Sequence, residues 1–200
     1  MHRNGLTLTA ALFAGGESHR MGRDKAQVTF VGEPLWSRQL KILRELKPDE
    51  ILVSARVRPA WCAPDIEAVL DRQPSSGPLS GLVALLKQTQ TTHLLVVAID
   101  LPMMTATHLL SLWKTAKQGM GVIPQNGGVY EPMCAIYSAE TAAIAELNLA
   151  NKEFSLQSLA EKLSQQHRAH SYRLTNLEQP LYCNVNTPED LACLDWNVSR

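Results

Sequence analysis

Short apolar, β-prone runs alternate along this chain with segments whose apolar residues recur at helical spacing, and few architectures accept that rhythm. The runs Leu6 to Ala14, Ile51 to Ser54, Glu67 to Leu70, Leu94 to Ile99 and Gly121 to Ile123 read as strands. Between them, Trp36, Leu40 and Leu43, the stretch Leu79 to Lys87 and the stretch Thr105 to Lys117 read as helices. Such βαβ succession predicts a parallel sheet with helices against it. Leu94 to Ile99 is apolar on both faces, as a central covered strand requires. After Asn126-Gly127-Gly128, whose glycines suit a hairpin turn, a strand Met133 to Tyr137 and helices near Thr141 to Leu149 and Ser155 to Leu163 predict that the sheet becomes mixed. A short strand Tyr182 to Val185 then precedes Thr187-Pro188-Glu189-Asp190, where an N-cap residue, a proline and two acids mark a helix start. No repeat, low-complexity tract or linker divides the chain, so residues 1–200 are expected to form a single domain.

The 19 Lys and Arg residues balance 19 Asp and Glu among 200 residues, which removes the long-range attraction to polyanions that nucleic-acid and membrane-surface binding use. An anionic ligand must therefore meet a local group of cations. Cys62, Cys134, Cys183 and Cys193 form no CxxC pair and have no histidine at zinc-finger spacing, so they read as free thiols in a reducing cytoplasm. Arg3 followed by Leu6 to Ala14 imitates a signal peptide. Gly15-Gly16-Glu17-Ser18 follows in place of a cleavage site, however, and the segment reads better as a strand entering a glycine loop. The apolar run His93 to Ile99 is far short of the roughly 20 residues of a membrane span.

The glycine loop carries the most chemistry. Gly15-Gly16 directly follows the first strand, and Arg20, Arg23 and Lys25 lie within ten residues of it. Backbone N–H groups in such a loop can cradle phosphate oxygens, with the cations completing a polyphosphate site. The spacing fits neither a Walker A loop, because Gly22 is followed by Arg23-Asp24-Lys25, nor the Gly-x-Gly-x-x-Gly dinucleotide fingerprint. The plainer alternative is a solvated surface turn.

The string Ala14 to Ala26, AGGESHRMGRDKA, resembles the signature loop of the MobA-like nucleotidyltransferases, among them the molybdenum cofactor guanylyltransferases. Gly32-Glu33-Pro34-Leu35, Gly77-Pro78-Leu79-Ser80-Gly81 and Asn184-Val185-Asn186-Thr187-Pro188-Glu189 agree with the family in the same order, so the resemblance runs nearly end to end. It implies a three-layer Rossmann-like nucleotidyltransferase fold, with a mostly parallel central sheet, helices on both faces, and the nucleotide at the carboxyl ends of the strands. It also implies transfer of GMP from GTP to the terminal phosphate of molybdopterin with loss of pyrophosphate, and molybdoenzymes or cofactor-delivery proteins as partners. Phe13, Ala14, Gly15, Gly16, Lys25, Ser54, Asp71 and Asp100 would then bind the nucleotide; Arg20, Gly22, Gly81, Asn184 and Asn186 would bind the second substrate.

Read alone, Asp100 serves equally as a helix N-cap or as a hard oxygen ligand at the sheet's carboxyl edge. The resemblance makes it the Mg²⁺ ligand, with Lys25 and Arg20 stabilising the transferring and leaving phosphates. A phosphate monoester is already largely anionic near pH 7, so the attack needs no general base. None is found: the 6 histidines are scattered and read as structural or exposed. Asn184 and Asn186, two apart, would share one face of a strand and suit a pterin edge, or else form the turn before Thr187. Ser54 departs from the family, whose guanylyltransferases carry asparagine there. Transfer of a cytidylyl group, transfer to another small phosphate, and a non-catalytic GTP-binding chaperone of the cofactor therefore stand as alternatives.

Overall fold

The computed structural model describes residues 5–15, 25–71, 77–187 and 190. In chain order its elements are β1 (Leu8–Phe13), β2 (Thr29–Phe30), β3 (Glu33–Pro34), α1 (Leu35–Glu45), β4 (Glu50–Ala55), β5 (Glu67–Leu70) and α2 (Pro78–Gln88). There follow β6 (His93–Ala98), α3 (Ala106–Thr115), β7 (Gly121–Asn126), β8 (Val129–Tyr130), β9 (Cys134–Ser138), α4 (Ala142–Ala150), α5 (Leu156–Gln165) and β10 (Ala169–Arg173). The main sheet runs β10-β7-β9-β6-β1-β4-β5, with β8 paired to β7. β1 is parallel to both β4 and β6, β4 to β5, and β7 to β10. β9 runs against β6 and β7, which makes the sheet mixed where the hairpin glycines predict it.

Alternation along the strands sorts the core into two layers. Leu8, Ala10 and Leu12 of β1, with Leu95 and Val97 of β6, face α1 and α3 through Leu40, Leu43, Leu109 and Leu112. Ala11 and Phe13, with Leu94 and Val96, face α2, α4 and α5 through Leu79, Leu85, Ala145, Leu159 and Leu163. At roughly 1.5–3 kcal/mol per fully buried leucine, this burial on both faces is the main driving force. The fold is thus the three-layer α/β arrangement expected.

Local chemistry sets the element boundaries. Pro78 occupies the first turn of α2, following Gly77 at φ 75°, and the Thr105 hydroxyl accepts the His108 N–H to cap α3. Gly127 and Gly128, both at positive φ, turn β7 into β8. Three short features escape the sequence pattern: the β2–β3 hairpin, only two residues a side, the equally short β8, and the polar edge strand β10.

One expected strand is absent. Tyr182 closes a 3₁₀ turn that begins at Gln179, and the segment 183–186 is extended without joining the sheet. It crosses the carboxyl ends of the strands, where no sheet edge is on offer, and the Val185 N–H donates to the Asp100 carbonyl at 2.9 Å. Thr187 does cap a turn, accepting the Asp190 N–H at 3.2 Å, while the Asp190 carboxylate accepts the N–H groups of Asn186 and Thr187. Pro188 and Glu189 lie outside the described residues.

Candidate active site

Strand order reverses between β1 and β6, and a crevice opens beyond their carboxyl ends, where open α/β sheets bind ligands. Backbone hydrogen bonds hold these ends together. The Ala14 N–H donates to Ser54 O at 2.8 Å, Ile99 N–H to Phe13 O at 3.1 Å, and Asp71 N–H to Ala55 O at 3.0 Å. Gly15 and Asp100 therefore emerge side by side from a rigid edge.

Lys25 begins a 3₁₀ turn anchored by the buried Ala26 and reaches back over this edge. Its Nζ donates to Asp100 Oδ2 and to Asn186 Oδ1, both at 2.8 Å. Lys25 and Asp100 keep only 18% and 20% of their side-chain surface exposed, so their attraction is less screened than at an open surface. Three segments distant in sequence thus converge on one ammonium group. Asp190 braces the last of them: the Asn186 N–H first, then those of Thr187, hold its carboxyl below its ordinary range.

A cavity of about 650 Å³ adjoins this cluster, within the roughly 300–1,000 Å³ usual for small-molecule sites. Of the expected site residues, Phe13, Ala14, Gly15, Lys25, Asp71, Asp100 and Asn184 line it. Asp71 sits at its β5 side and accepts a hydrogen bond from the Ser80 hydroxyl at 2.9 Å. Asn186 lies behind, on Lys25. Asn184 and Asn186 are exposed on either side of the buried Val185, and no strand carries them.

Ser54 and Gly81 are placed differently. Ser54 is 1% exposed and packs beneath Phe13, away from the cavity lining. A Cβ built on Gly81 would stand 2.5 Å from Phe13 Cζ and 3.1 Å from Ser54 Oγ, so this glycine lets α2 lie close to the sheet under the site. Gly16, Arg20 and Gly22 lie outside the described residues.

The cavity also has a wall that sequence reasoning missed, formed by Tyr130, Glu131, Met133, Phe154 and Gln157. The only signal for it was the hairpin at Gly127-Gly128, which returns the chain over the crevice. Arg56, just past the end of β4, lines the opposite side and could have been found as the first cation beyond that strand. Burial pushes the Glu131 carboxyl above its ordinary range.

The model of the MobA-like NTP transferase domain matches residues 10–169, which include the strand ends, Lys25, Asp71 and Asp100. The chain belongs to the MobA-like NTP transferase family. It is 33% identical over 193 residues to a probable molybdenum cofactor guanylyltransferase of Opitutus terrae, covering 95% of this chain and 96% of that one. A molybdenum cofactor guanylyltransferase of Xanthomonas euvesicatoria is 29% identical, covering 93% of each. Among solved structures, the molybdopterin-guanine dinucleotide biosynthesis protein A of Archaeoglobus fulgidus superposes with a TM-score of 0.71 at 22% identity, covering 96% of this chain and 98% of that one. A nucleotidyl transferase of Methanothermobacter superposes at 0.77 with 17% identity, covering 97% and 98%. These likenesses carry the MobA-like fold across the whole described chain.

Proposed function

We propose that this MobA-like transferase is a molybdenum cofactor guanylyltransferase, moving GMP from GTP to the terminal phosphate of molybdopterin. An oxygen of the acceptor phosphate bonds to the α-phosphorus of GTP, the bond between the α-phosphorus and its bridging oxygen to the β-phosphate breaks, and pyrophosphate leaves. The observation that carries this reading is Lys25, held by Asp100 and Asn186 beside a cavity at the strand ends, in a chain whose named relatives match it nearly end to end.

The chemistry asked of the chain is positioning and charge neutralisation. Lys25 offers an ammonium already oriented by Asp100 and Asn186, so little reorganisation is needed when a phosphate replaces one of them. Gly15 lines the cavity beside Lys25, and Arg20 of the signature string would add a second cation. A phosphate acceptor requires no general base.

The donor set suits Mg²⁺ held mainly by substrate. Asp100 supplies hard carboxylate oxygens, and among the described residues no cluster of three or more metal-ligating side chains surrounds it. Mg²⁺ would therefore be held by Asp100 together with the nucleotide's phosphates, neutralising charge on them. The free thiols Cys62, Cys134 and Cys183 agree with a reducing, cytoplasmic setting, and no described helix is long and apolar enough to cross a membrane.

Thermal unfolding with GTP, CTP, ATP and UTP, each with and without Mg²⁺, tests the nucleotide half of this reading, because a ligand bound only by the folded state raises the midpoint. A shift selective for GTP and enlarged by Mg²⁺ is expected, followed by pyrophosphate release with molybdopterin. A shift selective for CTP would reassign the base, and GTP bound without turnover would leave a cofactor chaperone.

A further inference from the structure

Glu131 is a carboxylate inside a cavity built for polyanions, which needs a reason. It follows β8 and lines the cavity on the side of β7 and β9, across β6 from the β4 and β5 side where Asp71, Gly77 and Pro78 stand. Among the described residues its carboxylate has neither a hydrogen-bond partner nor an ion pair, although it is partly buried. Near phosphates such a group would only repel. It can be useful where a ligand presents N–H donors.

Its backbone is pinned. The Glu131 N–H donates to Pro124 O at 2.8 Å, and its carbonyl accepts the Cys134 N–H at 3.1 Å. At the preceding residue, the Gln157 amide clamps Tyr130 from both sides, accepting its N–H at 3.1 Å and donating to its carbonyl at 2.7 Å. The carboxylate is thus presented from a fixed base, as a recognition group should be. Tyr130, Met133 and Phe154 supply apolar and aromatic surface beside it, suited to a flat ring.

We propose that Glu131 recognises the ring of the acceptor, its two carboxylate oxygens taking the ring N–H and the amino N–H that a pterin presents along one edge. This deepens the guanylyltransferase reading and rests on it for the identity of the acceptor. Guanine carries the same pair of donors. The pterin is favoured over guanine because Phe13, Ala14, Gly15 and Asp71, which the resemblance gives to the nucleotide, line the cavity on the β1, β4 and β5 side, across β6 from the Glu131 wall.

The test is a fluorescence titration of free pterin, and of lumazine, in which a carbonyl replaces the amino group, against the wild-type chain and Glu131→Gln. The wild type should prefer pterin, and Glu131→Gln should weaken pterin roughly 10- to 100-fold while leaving lumazine unchanged. The GTP-induced thermal shift should be the same in both proteins. Glu131→Asp, which keeps the charge but withdraws it by one methylene, should lie between them and serves if the glutamine variant fails to fold. Equal pterin affinity in wild type and variants, or no preference for pterin over lumazine, overturns the inference. So does a smaller GTP shift in Glu131→Gln with pterin unchanged, which would assign the carboxylate to guanine. A wild type that binds pterin as expected but releases no pyrophosphate from GTP and molybdopterin would overturn the proposed reaction and leave the role of Glu131 standing.

Discussion

Lys25 Nζ and Asp100 Oδ2 lie 2.8 Å apart, 75 residues separated in sequence, and Lys25 Nζ also donates to the Asn186 amide oxygen. The pair couples the glycine loop to the end of β6, and the 183–186 segment closes over both through the bond from Val185 to the Asp100 carbonyl. A cation placed in this way is neutralised until a phosphate arrives to share it. The free site is therefore stable without being blocked.

Lys25→Ala should lower kcat for pyrophosphate release by roughly a hundredfold or more, the cost typical of removing one preorganised charge-stabilising donor. Asp100→Ala should abolish the response to Mg²⁺ as well. Steady-state assays across a Mg²⁺ titration separate the two effects. Near-wild-type rates in both variants would remove these residues from the chemistry.

Chelation by EDTA should stop turnover, yet Mg²⁺ alone should hardly move the unfolding midpoint, because Asp100 offers too few ligands without the nucleotide's phosphates. Mg²⁺ and GTP together should raise it by more than the sum of the two separate shifts. Strong stabilisation by Mg²⁺ alone would point to a complete metal site in the chain.

Gly81→Ala places a methyl group where Phe13 Cζ would be 2.5 Å away, in a fully packed region. Either α2 or the Phe13 ring must shift, so the variant should lose about 1–3 kcal/mol of stability in denaturant unfolding, as overpacked cores do. Phe13 also lines the cavity, so the GTP-induced thermal shift should shrink with it. An unchanged denaturation midpoint would show that the helix yields freely at this point.

Ser54 Oγ is buried with no hydrogen-bond partner among the described residues, a cost that alanine removes. Ser54→Ala should be as stable as the parent or more stable by up to about 1 kcal/mol. A lower midpoint would mean that the hydroxyl has a partner after all.

The sheet was largely legible because period-two apolar runs and helical spacing are strong signals where both faces are buried, as in Leu94 to Ile99. Hairpin glycines likewise announced the change to a mixed sheet. The features that were missed are those with little apolar signal. β10 is a polar edge strand, and 182–185 looks like a strand only because Val185 is buried between two exposed asparagines. In the site, Lys25 and Asp100 could be found from the loop and the strand end. Glu131 could not, since its place in the cavity depends on how β8 and β9 fold back beside β6, a tertiary fact with no local motif. The resemblance alone gives Ser54 and Gly81 as substrate contacts, and it does not show that strand alternation turns Ser54 toward α2, where its hydroxyl lies against Gly81.

Two buried histidines set the expected response to acid. His93 is fully buried, with the Lys117 and Met120 carbonyls at one ring nitrogen, the Thr92 hydroxyl at the other, and Trp113 edge-on. Its burial outweighs those carbonyls and the Glu140 charge and lowers its pKa below the ordinary 6.5. His108 sits on α3 with Nε2 2.8 Å from the Tyr182 hydroxyl and Nδ1 3.3 Å from Glu178, and Tyr172 packs edge-on against its ring. Burial lowers its pKa too, despite the acid beside it, so both rings are neutral in the folded chain at neutral pH. The unfolded chain then binds protons at a higher pH than the folded one. The stabilisation is fully present above about pH 6.5 and is lost as the pH falls from there toward the lowered folded values. Unfolding midpoints should therefore be level near pH 7.5 and decline below 6.5, with a shallower decline in His108→Gln. That variant should also loosen Tyr182, which leads into the Asn184 and Asn186 segment, and so raise the KM for substrate at neutral pH. A flat midpoint profile between pH 7.5 and 5.5 would mean that neither imidazole stays neutral on folding.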